Sequence, residues 1–92
     1  MSLPVELYAI ASGTVQGVAF RYKVKQIADA HGLTGYAQNL PNGSVVVVCQ
    51  GPQERIDAFV EKVWKIHYPV DIEDFKTVIR EPQAPFVEFA VK

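Results

Sequence analysis

The chain has one cysteine, Cys49, so it cannot form an internal disulfide. That usage fits a reducing compartment. It has no excess of either charge: the formal net charge at pH 7 is -1. No basic stripe stands out, which argues against a nucleic-acid backbone as partner. The apolar runs are short, and none approaches the roughly 20 residues a helix needs to cross a bilayer. The first residues lack the basic and apolar regions of a secretory leader. Repeats, low-complexity tracts and linkers are missing too. These absences point to a single domain over residues 1–92, cytoplasmic and monomeric, with neither membrane nor nucleic acid among its partners.

What is present suits one modest core. Hydrophobic residues make up 49% of the chain and charged residues 21%, an ordinary globular mixture. Residues 5–15 alternate as a strand, with Leu7, Ala9, Ala11, Gly13 and Val15 on one face. That face is small and apolar, which suits a helix packing closely over it. Residues 20–31 follow helical spacing through Phe20, Val24, Ile27 and Ala28, and Gly32 is a good left-handed stop. Residues 33–40 return as a strand. Pro41-Asn42-Gly43 marks a reversal, where Asn-Gly favours an antiparallel turn.

Residues 44–50 hold four valines and a cysteine in a row, a strand buried on both faces. Gly51-Pro52 opens a second helix with Ile56, Phe59, Val60 and Val63 as its apolar stripe. Glu61 and Lys65 are ordered as a helix-surface pair, and Tyr68-Pro69 closes the helix. Residues 70–74 read as an acidic connection, 75–80 as a strand and 81–85 as a proline-bounded turn. Residues 86–91 read as a last strand with Val87, Phe89 and Val91 inward. The order β-α-β-β-α-β plus one extra strand predicts a ferredoxin-like α+β sandwich. Its two helices share one face of a mostly antiparallel sheet. The principal strands should lie in the order fourth, first, third, second; the edge taken by the last strand is open.

Between the first strand and first helix lies Gly13-Thr14-Val15-Gln16-Gly17-Val18-Ala19-Phe20-Arg21. Backbone N–H groups in such a small-residue turn can converge, and the helix start adds unpaired donors and a positive dipole end. Arg21 brings a fixed, planar cation to a place where the dipole alone disfavours one. That is a cradle for a phosphate or carboxylate; physics alone does not say what becomes of the anion.

Gly13-x-Val15-Gln16-Gly17-Val18-x-Phe20-Arg21 resembles the first signature of the acylphosphatase family. Gly35-Tyr36-Ala37-Gln38-Asn39-x-x-x-Gly43-x-Val45, closing at Gly51, is similar to the second, in the same order and at the same separation. The resemblance implies hydrolysis of an acyl phosphate to a carboxylate and inorganic phosphate, the latter also an inhibitor. It implies that Arg21 and the backbone N–H groups of Gln16, Gly17, Val18, Ala19, Phe20 and Arg21 bind the phosphoryl group. Asn39, which context alone reads as a turn residue, would orient the attacking water. Neither signature contains a general base, and the substrate's own phosphate is thought to help deprotonate the water. No metal and no cofactor are implied. Thr14 stands where many members carry a basic residue, and Lys92 where many carry an aromatic.

The remaining candidates read as structural. His31 and His67 fit a helix end or the surface; Asp71, Glu73 and Asp74 fit a solvated loop; Cys49 fits a core thiol. Trp64, Phe59 and Tyr36 fit core or pocket wall. Two rival functions remain. One is a module that binds phosphate or an acyl phosphate without turnover, as in domains within larger enzymes that handle carbamoyl phosphate. The other is a ferredoxin-like RNA binder, which would need basic charge and aromatics that the valine-rich strand lacks.

Overall fold

A computed structural model of the chain describes residues 3–92; Met1 and Ser2, to which no element was assigned, lie outside the described residues. Strand β1 (Val5–Thr14) is central. It pairs antiparallel with β3 (Val45–Gly51) on one side and β4 (Asp71–Arg80) on the other. Strand β2 (Thr34–Asn39) pairs antiparallel with β3, and β5 (Phe89–Val91) lies parallel beside β2. The sheet order is therefore β4-β1-β3-β2-β5. The principal order expected from sequence holds, and the last strand takes the β2 edge.

Helices α1 (Phe20–Ala30) and α2 (Gln53–Trp64) cover one face. Phe20, Val24 and Ala28 of α1 and Ile56, Phe59 and Val63 of α2 pack with Leu7, Ala9, Ala11, Val45, Val47 and Cys49, all buried. Each large apolar side chain removed from water here contributes about 1.5–3 kcal/mol. Ala9 and Ala11 carry only methyl groups, so the helices sit close to β1. Val46 and Val48, on the opposite face, are buried as well. Glu61 and Lys65 form the expected surface pair at 3.4 Å.

Gly35 shows why β2 needs glycine. Its φ is +148°, and a Cβ there would fall 1.9 Å from the Val48 carbonyl oxygen and 2.7 Å from Cys49 Cα. The two strands approach so closely that no side chain fits.

Residues 81–88 run from the β4 edge to the β2 edge across the face away from the helices. Buried polar groups fasten this segment. Glu6, 1% exposed, accepts from Arg80 Nε at 2.6 Å, Gln50 Nε2 at 2.8 Å and the Gln83 backbone N–H at 3.4 Å. Gln50 Nε2 also donates to the Ala84 carbonyl at 2.6 Å, and Phe86 meets Tyr36 edge-on. Burial raises the Glu6 pKa, but the hydrogen bonds from Gln50, Arg80 and Gln83, with the Arg80 charge, outweigh it; the net shift is downward.

Three expectations fail. Residues 71–74 are not a connection: they open β4, with Ser12 facing Asp74 and Thr14 facing Asp71 across a bulge. An edge strand keeps one side in water, so acidic residues are tolerated there. Helix α2 ends at Trp64, before Tyr68-Pro69. Val87 is 96% exposed rather than inward, because residues 81–88 are used in crossing the sheet and only Phe89 to Val91 pair.

Candidate active site

The site forms where β1, β2 and β3 meet the start of α1. Val15 is 1% exposed and anchors the end of β1 in the core. The chain then turns through residues 16–19. Gly17 has φ 75° and Ala19 φ 60°, both left-handed. A Cβ on Gly17 would meet nothing within 4 Å, so its requirement is conformation, not space. Ala19 adopts the same region with a side chain, a strain on the order of 1–3 kcal/mol. Left-handed residues at alternate positions are a backbone shape in which successive N–H groups can converge on an anion, a nest.

The helix start reinforces the nest. No side chain caps α1, and its first turn contains no acidic residue. The leading N–H groups and the dipole are thus left for a ligand. Phe20 keeps only its backbone in this role, since its side chain is 1% exposed in the core. Gln16, Val18 and Arg21 are half-buried, while Gly17 and Ala19 form an exposed rim.

Arg21 is held from outside the turn. Its Nη1 donates to the main-chain oxygen of Lys92 at 2.5 Å. A guanidinium has five N–H donors, and this bond uses one. Lys92 is fixed in turn by its N–H, which donates to the Ala37 carbonyl at 2.9 Å, and by its ammonium, 4.3 Å from the Tyr36 ring centre.

Asn39 closes β2 opposite Val45. Its Oδ1 is buried and has no hydrogen-bond partner among the described residues. Most buried polar atoms are paired, and an orphan calls for a functional explanation. Gln16 connects this residue's neighbours to the cradle: its Nε2 donates to the carbonyls of Leu40 and Ser44, each at 2.8 Å. Leu40 and Ser44 flank the β2–β3 reversal. In that reversal Pro41 and Asn42 are the central pair, because Gly43 N–H donates to Leu40. Asn42 Oδ1 accepts from Ser44 N–H at 3.0 Å and Ser44 Oγ at 2.6 Å. The cradle and Asn39 are therefore braced as one unit. Sequence reasoning assigned Gln16 only a backbone donor; its side-chain role depends on a contact 28 positions away.

The structural candidates stay structural. His31 caps the far end of α1 with Nδ1 2.8 Å from the Ile27 carbonyl, and His67 is exposed. Burial, aided by the Glu6 charge, pushes the Cys49 thiol to about 12, which removes it as a nucleophile near neutral pH. A concavity of about 460 Å³ lies around Asp29, His31, Gly32 and Arg55, at the opposite end of α1 from the cradle. Among the described residues, no three His, Cys, Asp or Glu side chains converge as a metal site, and no helix is long and apolar enough to span a membrane.

A sequence model of the acylphosphatase family matches residues 7–91, which takes in both halves of the site. The chain belongs to the acylphosphatase family. It is 48% identical over 58 residues to an acylphosphatase of Nocardia farcinica, covering 63% of this chain and 58% of that protein. It is 54% identical over 52 residues to one of Vibrio parahaemolyticus, covering 56% and 58%. The matched stretch thus spans somewhat over half of these relatives. The crystal structure of the Bacillus subtilis acylphosphatase superimposes with a TM-score of 0.91 at 28% identity, covering 96% of this chain and 98% of that one. Acylphosphatase structures thus share the whole fold, beyond the segment where identity is high.

Proposed function

We propose that this chain is an acylphosphatase that hydrolyses the carboxyl–phosphate bond of an acyl phosphate. The observation that carries the reading is the orphaned Asn39 Oδ1, on a hairpin that Gln16 ties through Leu40 and Ser44 to the turn before an uncapped helix start and Arg21. In this reading the N–H groups of Gln16, Gly17, Val18, Ala19, Phe20 and Arg21 hold the phosphoryl oxygens, and the Arg21 guanidinium balances their charge. Asn39 Oδ1 accepts a hydrogen bond from water and aims its lone pair at phosphorus. Attack forms the new P–O bond as the bond to the acyl oxygen breaks, and the electron pair leaves on a carboxylate. A carboxylate is a weak base, so no general acid is needed. The water proton passes to a phosphoryl oxygen. The site's work is then positioning and charge stabilisation.

The same reading makes the reaction independent of metal, the protein monomeric and its setting the cytoplasm. Benzoyl phosphate hydrolysis with a chelator present tests the activity, and inorganic phosphate should inhibit competitively while shifting the amide resonances of residues 16–21. Phosphate binding without turnover would leave the non-catalytic binding module as the better account. Loss of activity with the chelator and recovery with Mg²⁺ would overturn metal independence.

A further inference from the structure

We propose that Tyr22 is the platform for the acyl group and that it biases the site toward acyl phosphates with a flat aromatic substituent. This rests on the phosphoryl-cradle reading above. Tyr22 follows Arg21 in the first turn of α1. Phe20 points into the core, and two positions along a helix is about 200° of rotation, so Tyr22 emerges on the far side. It is 59% exposed. Its ring centre lies 5.9 Å from the Arg21 guanidinium carbon. That is the outer limit of a cation–π contact, about 6 Å, so the ring is little engaged by the arginine.

Burying an apolar group of this size is favourable, yet Tyr22 is left open beside Arg21. Val18 and Leu40 are part-exposed aliphatic neighbours of the cradle, and neither carries a flat ring. Gly17 and Ala19 have little or no side chain, and Thr14 is polar and faces Asp71. A phosphoryl oxygen bound to Arg21 lies about 2.8 Å from its nitrogen, and the acyl carbon is two bonds beyond phosphorus. An acyl group that leaves the cradle on the Tyr22 side of Arg21 thus starts within reach of the ring, which lies 5.9 Å from the guanidinium carbon. An aromatic acyl group reaches the ring; an acetyl group is too short to cover it.

The test uses phosphonates, which do not hydrolyse, so that it does not depend on turnover. Affinities of benzylphosphonate and methylphosphonate are measured for the wild type, Tyr22→Ala and Tyr22→Phe, by amide shifts of residues 16–21. Benzylphosphonate should bind the wild type about 2- to 12-fold more tightly than methylphosphonate, the range of one aromatic pair. Tyr22→Ala should bring the ratio close to one, with the loss falling on benzylphosphonate, and Tyr22→Phe should keep it. The ratio of kcat/KM for benzoyl and acetyl phosphate should fall in parallel in Tyr22→Ala. No wild-type preference, or an equal loss for both phosphonates in Tyr22→Ala, overturns the assignment. A preference that vanishes in Tyr22→Ala, in a protein that turns over neither acyl phosphate, would uphold the platform and refute the hydrolase reading.

Discussion

Asn39→Ala should separate activity from stability in an unusual direction. A buried carbonyl oxygen without a protein partner costs the fold up to about 1–3 kcal/mol, less where water reaches it, and no described residue pairs with Asn39 Oδ1. Removing the amide relieves that term but also removes some packing at the end of β2. The net expectation is between no change and about 1 kcal/mol of added stability; for a domain of this size the upper value raises Tm by roughly 4–8 °C. Turnover of saturating benzoyl phosphate should fall by about two to four decades, as for loss of a group that positions the nucleophile. The phosphate inhibition constant should stay within a few-fold. Thermal melts by circular dichroism precede the kinetics. Near-normal turnover would remove Asn39 from the mechanism. A loss of stability beyond about 2 kcal/mol would show that the amide holds the hairpin rather than serving a ligand.

Arg21→Ala should weaken both phosphate affinity and turnover, because the guanidinium serves ground and transition states alike; unchanged phosphate affinity would remove Arg21 from the cradle, whereas a lost phosphate site with normal turnover in Asn39→Ala would reverse the roles assigned to the two residues. Glu6 sets an acid limit on the fold. Its folded pKa is lowered from 4.5, so its contribution is fully present above that value and is lost as pH falls through the lower, folded one. The wild type should therefore lose stability more steeply below pH 4.5 than Glu6→Gln, as read from denaturant midpoints at several acid pH values. Parallel slopes would refute the Glu6 account.

The elements most legible in the sequence are those whose burial leaves a regular pattern, either two different faces or an unbroken apolar run. Leu7, Ala9 and Ala11 announce β1 by alternation, and the valine run announces β3, because both lie inside the sheet. The opening of β4 was hidden because Asp71, Glu73 and Asp74 sit at an edge where no alternation is enforced and a bulge shifts the register. Val87 misled for the opposite reason: a β-branched residue just after Pro85 and between Phe86 and Phe89 looks like strand, but its stretch serves to cross the sheet. The cradle's position was readable from its small residues and arginine, whereas Ala19's left-handed backbone was not, since alanine gives no local sign of it. The joining of cradle to hairpin by Gln16, and of Arg21 to Lys92, depends on tertiary contacts that periodicity does not encode.

The placement of β1 between β3 and β4 bears on how the protein is made. A ribosome delivers the first strand early, and β3 can join it sooner than β4 can, since Ala11 already meets Val45. The other side of β1 waits for β4, and Glu6 waits for Arg80, 74 positions later. Until then the nascent chain carries a bare strand edge and a carboxylate without its cation. Pairing across such distances is slow relative to local helix formation, and an open edge invites the wrong strand. Synthesis stalled before Arg80 would thus leave a sticky, half-built sheet, and interactions with chaperones should concentrate on chains of that length.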